Sequence, residues 1–487
     1  MADDADRLAR AEALKEEANA AFKDHKFAKA VMLYTRTIEE NPNNAVYYSN
    51  RAFAHTKLEN YGAAVEDATK AIELDPEYLK GYYRRGSAYL GMMKFNEGLK
   101  DFRKVARLRP RDPDAQKKLK QCEIEIKKIR FNEAISSGPD ESSMPASEQV
   151  DLSQYVVDSS YKGPRLGGLD EKEVTLDFVK QMMEEFKAQR TIHKRYAFEI
   201  LLQVNQILKS TPTLMDIHIP NDKHFTVCGD VHGQFYDLLN IFEINGMPSE
   251  DNPYLFNGDF VDRGSFSVEV IFTLFAIKTW CPTAIYLTRG NHESKNMNKI
   301  YGFEGEVKSK YNEPMVDLFT EVFCALPLCA VLNRRVFVVH GGLFSQDGVT
   351  LDDLRRIDRF REPPEDGLMC ELLWSDPGPM PGRAPSKRGV AVAFGPDVTE
   401  AFLANNNLEM VIRSHEVKDE GYEIEHNQKL VTIFSAPNYC DQMGNKGAFI
   451  RFQGADMVPN FTKFSAVAHP PVRPMAFANN FMSMMGM

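Results

Sequence analysis

Between residues 11 and 112 the apolar and small positions recur every 34 residues. Phe27, Tyr61 and Phe95 stand in step, as do Ala18, Ala52 and Gly86; Ala20, Ala54 and Ala88; and Ala30, Ala64 and Gly98. Pro42, Pro76 and Pro110 close the three units. A period of this size is two helices joined by a turn, with small residues where the helices touch and Pro ending the second. The pattern predicts three helical hairpins followed by one more helix, DAQKKLKQCEIEIKKIRFNEA, over residues 11–135. SSGPDESSMPASEQ (136–149) then breaks all periodicity and, with the residues to 171, reads as a flexible linker. From about residue 172 to 470 helical patterns alternate with short β-branched runs, and 471–487 form a Met-rich tail.

Five of those short runs end at a metal-competent or basic residue. FTVCGDVHG leads to Asp230 and His232, YLFNGDFVDRG to Asp259, Asp262 and Arg263, and AIYLTRGNHE to Asn291 and His292. VFVVHGG leads to His340 and LEMVIRSHEV to His415. Strand ends feeding loops are where α/β proteins assemble their sites. A carboxylate at the end of a buried strand is costly unless a cation meets it. Three imidazoles, two carboxylates and an Asn, without thiolate, suit Mn, Fe or Zn. Six such ligands are too many for one catalytic ion with an open position and about right for two ions sharing a carboxylate.

Charge divides the chain. Residues 1–130 carry 26 Lys and Arg against 21 Asp and Glu, leaving 33 against 48 for the rest, within a total of -10. A basic first part and an acidic second part can attract each other or attract different partners. The basic residues are interleaved with acids, which argues against nucleic acid. No apolar run reaches membrane-spanning length, and MADDADRLAR is too acidic for a signal or transit peptide. The 7 scattered cysteines, with no CxxC pair, read as core residues in a reducing compartment, cytoplasm or nucleus.

GDVHG, GDFVDRG, RGNHE and HGG, with SAPNYCDQMGNKG after them, resemble the signature of the phosphoprotein phosphatase family of serine/threonine phosphatases. The likeness runs to about residue 465 and implies an α/β metallophosphatase β-sandwich flanked by helices. It also implies two divalent metal ions, Mn, Fe/Zn or Mg. Asp230, His232 and Asp259 would hold the first, and Asp259, Asn291, His340 and His415 the second. Arg263 and Arg388 would grip the phosphate through their planar forks. His292 would protonate the leaving oxygen, held by Asp262, with the Tyr439 hydroxyl at the site edge. Val231 and Thr288 depart from the commoner family residues without removing a contact. An inactive phosphoprotein-binding scaffold and a small-molecule phosphoesterase are the alternatives.

The first part resembles an all-α tetratricopeptide solenoid. Lys15 and Asn19, and again Lys80 and Arg84, lie four apart on first helices, and Asn50 lies between them. Together they offer three cations and two amides to one groove. This resembles the carboxylate clamp of tetratricopeptide domains that bind chaperone C-termini, and implies the acidic tail of heat-shock protein 90 as partner. The resemblance further implies that the repeats restrain the catalytic part. An acidic residue of the repeats acting as a phosphate surrogate against Arg263 and Arg388 is then expected, and Glu59, in the turn after the first helix of the second repeat, is the candidate. The tail FANNFMSMMGM is expected to pack at that contact.

Overall fold

The computed structural model describes residues 2–136, 144–168 and 172–478. These fall into two compact units, one built on the chain to Ser143 and one holding Met144–Ala384 and Val392–Asn479.

The first unit is helical: α1 (Ala2–Lys23), α2 (Phe27–Glu40), α3 (Ala45–Lys57), α4 (Tyr61–Leu74), α5 (Leu79–Gly91), α6 (Phe95–Leu108) and α7 (Pro113–Ser136). The 34-residue period reappears in the backbone: His25, Glu59 and Met93 turn between paired helices with φ of 59°, 60° and 59°. Ala18, Ala30, Ala52, Ala54, Ala64 and Ala88 are wholly buried at helix contacts, whereas Ala20 is exposed. Bidentate ion pairs also repeat. Arg51 holds Asp67 at 2.7 and 2.8 Å, tying α3 to α4, and Arg85 holds Asp101 at 2.8 and 2.9 Å, tying α5 to α6.

The second unit is a sandwich of two sheets. Its strands are β1 (Leu214–Ile217), β2 (His224–Cys228), β3 (Tyr254–Asn257), β4 (Ile285–Thr288), β5 (Cys329–Leu332), β6 (Val336–Val339), β7 (Asp376–Pro377), β8 (Arg383–Pro385), β9 (Val392–Phe394), β10 (Met410–Arg413), β11 (Tyr422–Glu425), β12 (Leu430–Ile433), β13 (Gly447–Gln453) and β14 (Asn460–Phe464). One of these sheets runs β1-β5-β6-β10-β12-β11 and the other β14-β13-β2-β3-β4, while β7, β9 and β8 form a small third sheet. Alternation along each strand divides its side chains between layers. Leu255 of β3 and Val338 of β6 enter the core between the sheets, with Ile412, Val431 and Ile450. Tyr254 and Phe256 face outward against helices that include Ser267–Trp280, and Phe337 and Val339 do the same on the other sheet.

Two expected boundaries move. Residues 144–168, read from composition as linker, belong to the second unit. Glu321 accepts from the N–H and hydroxyl of Ser147 at 2.8 and 2.7 Å, and Tyr155 packs on Phe198 with ring centroids 4.9 Å apart. Val150, Leu152, Val157 and Tyr161, thinly spread among polar residues, cover the same helices. The tail also starts later than 471. Met475 N–H donates to Arg263 O (2.7 Å), Ser265 Oγ to Arg473 O (2.6 Å) and Ala476 N–H to Ser265 Oγ (3.1 Å), so this strap stays bonded to the second unit at least as far as residue 476. Most of FANNFMSMMGM, from residue 479 on, lies outside the described residues. Among the described residues no helix is long and apolar enough to cross a membrane.

Candidate active site

β2, β3 and β4 are parallel neighbours in one sheet, and β6 and β10 are parallel neighbours in the other. Their C-terminal ends therefore gather at one edge of the sandwich. The loops that follow are tightly coiled: His232, Asp259, Asp262, Arg263 and His415 have φ of 41°, 51°, 71°, 71° and 72°. Left-handed backbone at non-glycine residues costs on the order of 1–3 kcal/mol each and persists only where surroundings enforce it. Gly258 and Gly290 let two of these loops press together. A Cβ on Gly258 would stand 2.5 Å from Gly290 N, and one on Gly290 would stand 2.2 Å from Asp259 Oδ1.

Six side chains singled out in the sequence converge there, all buried: Asp230, His232, Asp259, Asn291, His340 and His415. His232 donates from Nδ1 to Val261 O (3.0 Å), and His340 from Nδ1 to Asn257 O (2.8 Å). Each imidazole is thereby held with Nε2 turned toward Asp259 Oδ2, at 3.5 and 3.3 Å. His340 Nε2 also lies 2.9 Å from Asn291 Oδ1 and 3.2 Å from His415 Nδ1. Asp230 Oδ1 accepts the His415 N–H at 3.1 Å. Burial holds His232 and His340 below the usual imidazole range, which favours the neutral form that a metal ion would need. Burial, reinforced by Asp259, pushes Asp230 up to about 7.

This donor set fits divalent cations. Ligand atoms of Asp259, His340 and His415 lie within 4.8 Å of one another, as do those of His232, Asp259 and His292, so the two groups share one carboxylate. Dense buried oxygen and imidazole donors with no nearby thiolate suit hard or borderline metals. His292 thus stands within the second group, although its role was read as proton transfer. Its Nδ1 is taken up by Asp262 Oδ2 at 2.9 Å.

Asp262 is itself held by Phe303 N–H (3.0 Å) and Asn298 Nδ2 (3.0 Å). The Arg263 guanidinium lies 3.6 Å from the centre of the Tyr301 ring. Tyr439, half-buried, packs its ring 5.2 Å from that of His232. Arg388 lies in the stretch 385–391, where its N–H donates to Ser386 Oγ (3.1 Å).

Two features escaped sequence reasoning. Glu293, wholly buried, accepts three backbone N–H groups, from Asp259, Phe260 and Gly290, each at 2.8 Å. It staples the loop that carries Asp259 to the loop that carries Asn291 and His292. Burial pushes this carboxyl up to about 8 while the donors pull the other way. Thr288, noted only as a departure, donates to Asn257 Oδ1 (2.9 Å), and Asn257 Nδ2 crosses between the sheets to Val339 O (2.7 Å) and Ser414 Oγ (2.9 Å).

In the first unit the clamp residues differ in state. Lys15 is paired with Glu12 and, at 3.2 Å, with Glu16, two acids left out of the sequence reading. Asn19 Oδ1 accepts from Tyr34 OH at 2.8 Å. Asn50 is half-buried and Lys80 exposed. Arg84 lies 3.5 Å over the Phe53 ring, and burial lowers its guanidinium to about 10. Lys57 Nζ, 5.5 Å from the centre of the same ring, is a further cation absent from the sequence prediction. Glu59 is half-buried in its left-handed turn.

Comparison with known proteins agrees with both halves. The calcineurin-like phosphoesterase model matches residues 223–419, the PPP5 TPR repeat region model matches 119–216, and a tetratricopeptide repeat model matches 45–78 and 79–112. A serine/threonine-protein phosphatase 5 from Arabidopsis thaliana is 61% identical over 98% of this chain and 98% of its own. The chain belongs to the serine/threonine-protein phosphatase 5 family. The Homo sapiens member is 52% identical, over 98% of this chain and 95% of its own. A solved protein serine/threonine phosphatase from Saccharomyces cerevisiae is 43% identical and superimposes with a TM-score of 0.61, covering 62% of this chain and all of the other. The chain is accordingly a metallophosphatase with helical repeats before it.

Proposed function

We propose that the chain hydrolyses phosphoserine and phosphothreonine in proteins at the cluster around Asp259, using two divalent cations. The observation that carries this reading is the pair of donor groups sharing the Asp259 carboxylate, with Asp230 Oδ2 3.7 Å from His232 Nε2 beside the first group. Asp230, His232 and Asp259 would hold one ion, and Asp259, Asn291, His340 and His415 the other. Two such ions supply Lewis acidity at the phosphoryl oxygens and a water acidified toward neutral pH. The chain's own residues do the rest. Arg263 and Arg388 bind and orient the phosphate. Asp262 holds His292 by Nδ1, which leaves the other ring nitrogen to deliver a proton to the departing serine or threonine oxygen. Tyr439 bounds the site beside His232. Cysteine has no part, and all seven are free thiols. Release of phosphate from a phosphoserine peptide, lost on chelation and restored by Mn²⁺, tests the reading. A metal-replete chain inert toward the peptide would leave only a phosphoprotein-binding scaffold.

The first unit captures an acidic C-terminal tail, as that of heat-shock protein 90, through Lys15, Asn19, Asn50, Lys80 and Arg84. Cations held on an aromatic platform and amides on neighbouring helices suit a terminal carboxylate. It also restrains the catalytic unit. Opposite charge on tethered parts favours self-association, and Glu59 is the acidic residue we assign to that contact. A bound tail draws on the same unit and so shifts the population toward the active state. Turnover by the full chain with and without a tail peptide tests this regulation.

A further inference from the structure

We infer that Tyr301 is a positioning residue that sets the plane of the Arg263 guanidinium for phosphate. The inference rests on the reading of Arg263 as a phosphate-binding group. A guanidinium reads phosphate through a flat fork of donors, so the orientation of its plane matters as much as its charge. Arg263 sits on a long side chain that departs from a left-handed residue, next to another at Asp262, both with φ of 71°. Something must hold both the backbone and the plane.

The helix Lys295–Tyr301 and the residues after it do so. Tyr301 O accepts the Arg263 N–H at 3.3 Å, and from the other side Met475 N–H donates to Arg263 O at 2.7 Å. The Tyr301 ring then lies under the guanidinium at 3.6 Å. Both side chains are almost fully buried, 3% and 2% exposed, so the stack is desolvated, where such contacts are strongest. The same ring stands 5.1 Å from the His292 imidazole. Two further bonds from this segment grip Asp262: Phe303 N–H to Oδ1 (3.0 Å), reached across Gly302 at φ 119°, and Asn298 Nδ2 to Oδ2 (3.0 Å). One short segment therefore touches Asp262, Arg263 and His292, and Tyr301 is the member that meets the phosphate-reading side chain face to face. The ring face makes this contact, so a phenylalanine ring should make it as well.

The test uses the metal-loaded full chain, with phosphoserine-peptide kinetics and inhibition by inorganic phosphate. Tyr301→Leu and Tyr301→Met remove the flat platform, and both should raise KM and the phosphate inhibition constant about tenfold with bound metal unchanged. Tyr301→Phe should restore most of that affinity. In an Arg263→Ala background, Tyr301→Leu should weaken phosphate no further. Leu and Met variants that hold phosphate as tightly as the parent, while Arg263→Ala does not, would overturn the inference and leave the reading of Arg263 intact. A Phe variant as impaired as Leu would overturn it too. If Arg263→Ala itself keeps full phosphate affinity, the underlying reading of Arg263 fails, and Tyr301 has nothing to position.

Discussion

The carboxylate of Glu293 accepts the backbone N–H of Asp259 at 2.8 Å, and Asp259 returns the bond to the same loop by accepting the N–H of His292 at 2.8 Å. The residue that both groups share is thus fixed in place by one that belongs to neither group. Replacing Glu293 by its isostere Gln turns one oxygen into a donor facing backbone donors. An unsatisfied buried group costs about 1–3 kcal/mol, and loss of an outer-shell partner costs about 10–100-fold in metal affinity. Glu293→Gln should show both effects, in melting temperature and in calorimetric titration of Mn²⁺. Metal affinity equal to that of the parent would show that Asp259 needs no such support.

His292 is the residue whose two possible roles the geometry sharpens. His292→Asn should lower turnover by about 10²–10⁴-fold, the range for a general acid, with bound metal retained. Elemental analysis finding an ion missing from the variant would make it a ligand, as its nearness to His232 and Asp259 permits.

The buried donor cluster was legible because its residues follow directly on the apolar runs of β2, β3, β4, β6 and β10, where a single strand sets both burial and direction. The same holds for the repeats, whose 34-residue spacing returns in the turn residues His25, Glu59 and Met93. What stayed hidden are contacts between distant segments. Glu293 acts 34 residues back along the chain, on Asp259. The strap reaches Ser265 from Arg473, 208 residues away. Residues 144–168 carry a linker's composition because only one apolar residue in several is needed to dock a short segment. Glu12 and Glu16 look like ordinary solvated helix acids until Lys15 is seen between them.

That pairing bears on the clamp. Arg84→Ala or Lys80→Ala should weaken an acidic C-terminal peptide by more than about tenfold, since a carboxylate then stays unpaired in the groove. Amidation of the peptide should do similar harm. Glu12→Gln should have the opposite sign, because it releases Lys15 for the ligand. Calorimetry that found free and amidated peptides equally tight would exclude carboxylate capture.

The docked segment 144–168 gives a pH signature. Burial raises the Glu321 carboxyl, but bonds from Lys209 and Ser147 outweigh it and bring the group down to about 2 from an ordinary 4.5. A depressed folded-state value contributes stability above the unfolded value and loses it as pH falls through the folded one. The melting temperature of the parent should therefore fall more steeply between about pH 4.5 and pH 2 than that of Glu321→Gln. Parallel curves across that window would show that the docked segment does not depend on the ionised carboxylate.

Removing residues 1–130 should raise turnover on a phosphopeptide severalfold, and a chaperone tail peptide should activate only the full chain. Equal turnover by the two proteins at saturating metal would mean that the repeats recruit partners and exert no restraint.

The most direct measurement counts ions and activity in one sample. Elemental analysis of the active chain should find two divalent ions per molecule, and stepwise chelation should abolish phosphate release from a phosphoserine peptide, with Mn²⁺ restoring it. Full activity in a metal-free chain, or one ion per molecule at full activity, would contradict a pair of cations sharing Asp259.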